Sequence, residues 1–209
     1  MTIDLGVAYG AARSRISALV SAASVPSDLV VPATPDWTVH DVVAHLLGIA
    51  VDGATGNMEG APGDAWTAAQ VARNAHRSIS EMIEEWGQTG PFMEAFLSSP
   101  AGQQASAAVM DIHTHEADLR HALGLPIEVP EDFLSWAGDV MRDGFQSQLA
   151  ESGLAPVQIE ASDFEWFRGR LGRRTAAANA PGCVPSTNVT SMPSRAHGPC
   201  RNASVAEYS

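Results

Sequence analysis

The sequence predicts an all-α protein built as a bundle of four or five long helices. Three observations carry that prediction. Apolar residues recur at three- and four-residue spacing through several long segments. The breaks between those segments are short and marked by Gly, Pro and Asn. No stretch has the sustained apolar–polar alternation of a half-buried strand, and there is no internal repeat. With 45% apolar residues in 209, the chain can bury a real core, and its length suits one domain with a small appendage.

The first helix is expected over 5–23, where Leu5, Val7, Ala8, Ala11, Ala12, Ile16, Leu19 and Val20 recur at helical spacing. Pro26 and Pro32-Ala-Thr-Pro35 then read as a loop. Thr38 is a natural N-cap, and Asp41 three residues on completes a capping-box-like start to a helix from Val39 to the mid-50s. Residues 53–64 form the next loop. Thr67 and Gln70 open a third helix, expected to reach Trp86, with Gly87 to Gly90 as its break and Pro91 to Leu97 as one or two further turns. The fourth helix spans about Gly102 to Leu123 and is closed by Gly124 and Pro126. The fifth runs from about Glu131 to Leu149. A short extended stretch at Val157-Gln-Ile-Glu and a short helix over 163–172 complete the reading.

By this division, residues 1–150 form the bundle, 151–174 a short C-terminal extension and 175–209 a tail. The tail holds one acidic residue, Glu207, against 23 in the residues before Thr175, and four Pro with little apolar periodicity. Such a segment cannot bury enough surface to offset its ordering entropy, so disorder is expected. The change in composition suggests a shifted reading frame.

The net charge of −12, with no lysine at all, disfavours nucleic acid and anionic membranes as partners. No apolar run approaches the roughly 20 residues that span a bilayer. The first residues lack a basic segment followed by an apolar one, so a cytoplasmic protein is expected. The two cysteines, Cys183 and Cys200, suggest no disulfide framework. Apolar helix faces leave monomer and homodimer both open.

The chemistry concentrates in Asp111-Ile-His-Thr-His115-Glu-Ala-Asp118-Leu-Arg120. Asp111 and His115, four apart, project from one helix face. A carboxylate and an imidazole so placed can share one metal ion and lack only a partner from another helix; His45 is the best candidate. Two His and one carboxylate leave a coordination position open, as a catalytic site needs. Zn²⁺ suits this set, and Ni²⁺, Co²⁺, Mn²⁺ or Fe²⁺ is also admitted. Asp118, and equally Asp41, could orient a ligand imidazole through its other nitrogen, although Asp41 could instead cap its helix. Arg120 could hold a substrate carboxylate or form a surface ion pair. Trp37 reads as a core anchor at the junction of loop and helix, and His113 and His121 as surface residues. No residue stands out as the catalytic group itself.

Three segments carry a family resemblance. Pro35-Asp-Trp37-Thr-Val-His-Asp41-Val-Val-Ala-His45-Leu resembles the start of helix two in the mycothiol-dependent maleylpyruvate isomerase family, part of the DinB-like group of metal-binding bundles. Asp111-x-x-x-His115-x-x-Asp118-x-Arg120-x-Ala-Leu-Gly124 is similar to that family's later metal-binding helix. Phe167-Arg-Gly-Arg-Leu-Gly172-Arg-Arg174 resembles the start of its C-terminal helix. The resemblance covers about 5–174 and implies an up-and-down four-helix bundle with extra short helices. It also implies that His45, Asp111 and His115 hold the metal, with mycothiol as thiol cosubstrate. The acid here is Asp where the best-known members have Glu, so the helices must approach more closely or a water must bridge.

The function implied is a metal-dependent, mycothiol-using isomerase or S-transferase acting on small, maleylpyruvate-like electrophiles. Two alternatives stand beside it. One is a metal-dependent hydrolase, with Glu116 or Asp118 as base; the other is a non-catalytic metal- or thiol-binding module with a regulatory role.

Overall fold

The computed structural model describes residues 2–22, 25–155 and 157. The short helix expected over 163–172, the tail from 175 and both cysteines lie outside the described residues. So does the extended stretch after Val157.

Four helices make the bundle. They are α1 (Leu5–Val20), α2 (Val39–Thr55), α4 (Ile79–Ser98) and α5 (Ser106–Ala122). α4 packs against both α1 and α2, α1 packs also on α5, and α2 meets α5 over a smaller contact that carries the candidate site. The shorter α3 (Asp64–Asn74) lies against α2, and α6 (Glu131–Glu151) follows α5. The fold is the all-α, DinB-like one that the periodicity and the resemblance lead one to expect. No described helix is long and apolar enough to cross a membrane.

Local chemistry sets the helix starts. Asp4 caps α1 by accepting from the backbone N–H groups of Gly6 and Val7. Thr38 and Asp41 form the full capping box expected for α2. Gly56, at φ 75°, closes that helix in the left-handed conformation.

The core draws Leu5, Tyr9, Ile16, Leu46, Leu47, Met82, Trp86, Leu97, Ile112 and Leu119 into one cluster. Gly90 is a point of close approach there, because a Cβ on it would collide with the Arg13 side chain of α1.

That approach explains the main departure from the sequence reading. The helix expected over 67–86 is two helices, and the break falls at 75–78 rather than at Gly87 to Gly90. Ser78 and Glu81 form a second capping box, a start signal inside the stretch read as continuous. Gly90 permits helix contact instead of ending the helix. Pro91 is tolerated because it is exposed, on the solvent side of α4.

Two smaller departures follow. The loop expected around 26–35 holds a hairpin of β1 (Val30–Val31) and β2 (Thr34–Thr38), which seats Val31 in the core. The helix expected from Gly102 begins as a 3-10 turn over 102–104, with α5 proper starting at Ser106.

Candidate metal centre

His45 sits in the middle of α2 and is buried, facing α5. Asp111 and His115 are one turn apart on α5, and His115 is buried. Together they offer three ligand atoms that all lie within 4.8 Å of one another. His45 Nε2 is 3.5 Å from Asp111 Oδ2, and His115 Nε2 is 3.6 Å from Asp111 Oδ1.

The surroundings fix which ring nitrogens carry protons. Asp52, buried at the far end of α2, accepts hydrogen bonds from Arg73 at 2.7 Å, from Asn57 at 2.9 Å and from Gln70 Nε2 at 2.9 Å. The Gln70 amide therefore points its nitrogen at Asp52 and its oxygen at His45, whose Nδ1 donates to Oε1 over 2.8 Å. With the proton on Nδ1, His45 Nε2 presents a lone pair to Asp111. His115 is set the same way: its Nδ1 donates to Asp118 Oδ2 at 3.1 Å, leaving Nε2 with a lone pair.

In the neutral imidazoles two lone pairs thus face the one carboxylate. The separations exceed the 2.7–3.2 Å of an N–H···O bond. They lie near the ~3.3 Å ligand-to-ligand edge of a tetrahedral site with bonds of about 2.0–2.1 Å. Asp111 Oδ2 is, moreover, one of two buried side-chain oxygens left without a hydrogen-bond partner among the described residues. A cation satisfies all three acceptors at once, so this donor set fits a divalent metal ion. The shorter Asp arm suffices because α2 and α5 approach closely enough for its carboxylate to reach both histidines.

A cavity of about 810 Å³ opens over these residues. Trp37 forms part of its wall, tilted on the His45 ring at 5.2 Å and stacked on His115 at 5.8 Å. Trp37 is therefore a cover for the site as well as an anchor for the start of α2.

The family model for the mycothiol maleylpyruvate isomerase N-terminal domain matches residues 9–124, more than half of the chain and all of the segment that holds these three side chains. The chain belongs to that family. Membership gives it a mycothiol-related, DinB-like, metal-binding character. No curated protein and no solved structure matches the chain.

Within this family member, Asp41 and Arg120 take the second of the two roles left open for each, and the readings of Glu116 and His113 are corrected. Asp41 does not reach His45. Its carboxylate accepts from the Thr38 backbone and hydroxyl, and the partner of His45 is Gln70. Arg120 faces away from the cavity. It donates to Glu116 at 3.2 Å and to the Pro126 carbonyl at 3.3 Å, tying down the end of α5. Glu116 is no free base either, because it is buried and Arg15 grips both of its oxygens. His113 is buried rather than exposed, stacked on Phe133 of α6 with ring centres 3.7 Å apart. That burial pushes its pKa down.

Sequence reasoning missed Gln70. Its approach depends on Gly48, where a Cβ would come within 2.5 Å of the Gln70 side chain. Gln70→Leu keeps the packing volume but leaves the His45 N–H without an acceptor. It is expected to weaken Zn²⁺ binding about 10–100-fold, measured by competition with a chromogenic chelator; unchanged affinity would show that His45 needs no orienting partner.

Asp52 also carries a pH dependence. Burial pushes its carboxyl up, but the hydrogen bonds from Arg73, Asn57 and Gln70 outweigh that and hold it below the ordinary value. The unfolded chain therefore binds this proton first as pH falls. The stability it contributes is present above the ordinary carboxylate range and is lost as pH drops through the depressed folded value. Asp52→Ala should cost about 2–3 kcal/mol at neutral pH, less than a fully buried pair because Arg73 is 41% exposed. Urea denaturation at several pH values should show wild type and variant converging as the medium becomes acidic.

Proposed function

We propose that this protein is a metal-dependent enzyme that uses mycothiol, or a closely similar thiol, to attack small electrophiles as an isomerase or S-transferase. Zn²⁺ is the ion this donor set suits best. The observation that carries the reading is the convergence of two imidazole lone pairs and an unpartnered carboxylate oxygen at the base of a large cavity. A divalent ion bound there lowers the pKa of a thiol that reaches it, making a nucleophile available at neutral pH.

The chain's own residues supply the rest. Gln70 and Asp118 hold the two imidazoles in one tautomer and orientation. Trp37 covers the histidines and limits water around the nucleophile. Family membership points to a small-molecule thiol as the source of the sulfur nucleophile. Hydrolysis is less well supported: Asp111 is the only carboxylate in the described lining, and Glu116 and Asp118 are held by Arg15 and His115.

The test is thiol consumption by the Zn²⁺-loaded full chain with mycothiol and an activated alkene. Turnover that requires the thiol and falls at least a hundredfold in His115→Ala is the expected result. Metal binding without turnover would instead support a non-catalytic binding module, and turnover without thiol a hydrolase.

A further inference from the structure

The cavity's wall is as informative as its base. Trp37, Trp66, Phe92, Phe96, Met58 and Met93 are its large side chains, and beyond the candidate ligands and the two indole N–H groups the only polar side chain in the described lining is that of Thr67. Trp66 donates its Nε1–H to the Asn57 carbonyl at 3.0 Å, so its polar edge is already engaged. Aromatic and thioether side chains favour apolar and aromatic guests by dispersion and ring packing.

The charges point the same way. The chain has no lysine, and no described arginine lines the cavity. Each of the six described arginines is paired: Arg13 with Glu94, Arg15 and Arg120 with Glu116, Arg73 with Asp52, Arg77 with Glu85, and Arg142 with Asp139 and Asp143. Diverting Arg73 to a ligand would leave the buried Asp52 without a counter-charge. Apart from the candidate ligands, no charged side chain is in the described lining. Away from those ligands, a substrate carboxylate would give up its water for an apolar wall.

We propose that the electrophile of this site is uncharged and largely apolar, aromatic by preference, and that its reaction is thiol addition rather than isomerisation of a dicarboxylate. This rests on the thiol-dependent reading above. In the addition, a C–S bond forms at the β carbon of an α,β-unsaturated carbonyl. The alkene pair moves to the α carbon, which takes up a proton equivalent to the one the thiol released. Nothing is oxidised or reduced.

The test measures binding by calorimetry on the full chain without thiol, both metal-free and Zn²⁺-loaded, so that it does not depend on turnover. The probes are benzylacetone and its para-carboxylate. They are saturated, so Cys183 and Cys200 cannot react with them, and they differ by one charge. The neutral ketone should bind at least about tenfold more tightly. Phe92→Arg, at a position 68% exposed, should bring the carboxylate to equal or better affinity. Equal binding of the two probes to wild type, tighter binding of the anion, or binding of neither would overturn the assignment. If the ketone binds selectively while thiol turnover is absent, the mechanism fails and the cavity's preference stands. If turnover is present without that selectivity, the preference fails and the mechanism stands.

Discussion

Asp111→Asn is expected to make the metal-free protein more stable while abolishing its response to Zn²⁺. In the wild type the Asp111 carboxylate faces two imidazole lone pairs, and one buried oxygen has no partner. An unsatisfied buried acceptor costs about 1–3 kcal/mol. The Asn side chain has nearly the same shape but carries two N–H donors in place of one oxygen, so one histidine gains a hydrogen bond and one of the two like-signed contacts disappears. A gain of about 1 kcal/mol corresponds to roughly 2–4 °C in Tm for a chain of this size. The same change removes the anionic ligand. Zn²⁺ at a hundred times its Kd stabilises a folded protein by about 2.7 kcal/mol, and that increment should vanish. Thermal melts of both proteins with and without Zn²⁺ make the comparison. A residue that merely packed would give the reverse pattern, a lower melting temperature without metal and no change in the metal-induced shift.

Trp86→Ala is expected to cause the largest loss of stability without touching the site. Trp86 is fully buried at the centre of the bundle, and its Nε1–H donates to Tyr9 Oη on α1 at 3.4 Å. Tyr9 is itself buried, which pushes its phenol pKa up to about 12 and keeps it a neutral partner. Removing the indole leaves a cavity across the α1–α4 contact and strands the Tyr9 hydroxyl. The cost should be about 3–5 kcal/mol, lowering Tm by roughly 10 °C. Urea denaturation measures it, with Trp86→Phe as the milder comparison. Zn²⁺ stoichiometry should stay the same in the variant, because the indole's hydrogen bond goes to Tyr9 and not to a candidate ligand; its loss would show that core and site are coupled.

What could be read in the sequence, and what could not, follows from the range of each signal. The Thr38–Asp41 capping box is local, and it sets the start of α2 where the chain text puts it. The four-residue spacing of Asp111 and His115 is local too, and the helix places both on one face. His45 lies on another helix, but its flanking motif made it a candidate for the same cluster, and the fold brings it there. Gln70 could not be found this way. It comes from α3, 25 residues from His45, and meets it only because Gly48 lets two helices touch. Gly90 and Pro91 misled for the same reason. Local propensity marks them as breakers, while the contact with Arg13 that accounts for Gly90 is 77 positions away in the chain. The paired arginines and the aromatic wall are likewise properties of packing, invisible in any one segment.

The central claim is that His45, Asp111 and His115 hold one divalent ion. It is tested most directly by metal content per chain, measured by mass spectrometry on full-length protein purified without a His tag, with His45→Ala and His115→Ala in parallel. The account predicts about one ion per chain in the wild type and close to none in either variant, with all three melting cooperatively. A wild type that stays metal-free after incubation with Zn²⁺ at neutral pH, or variants that retain the ion, would contradict it.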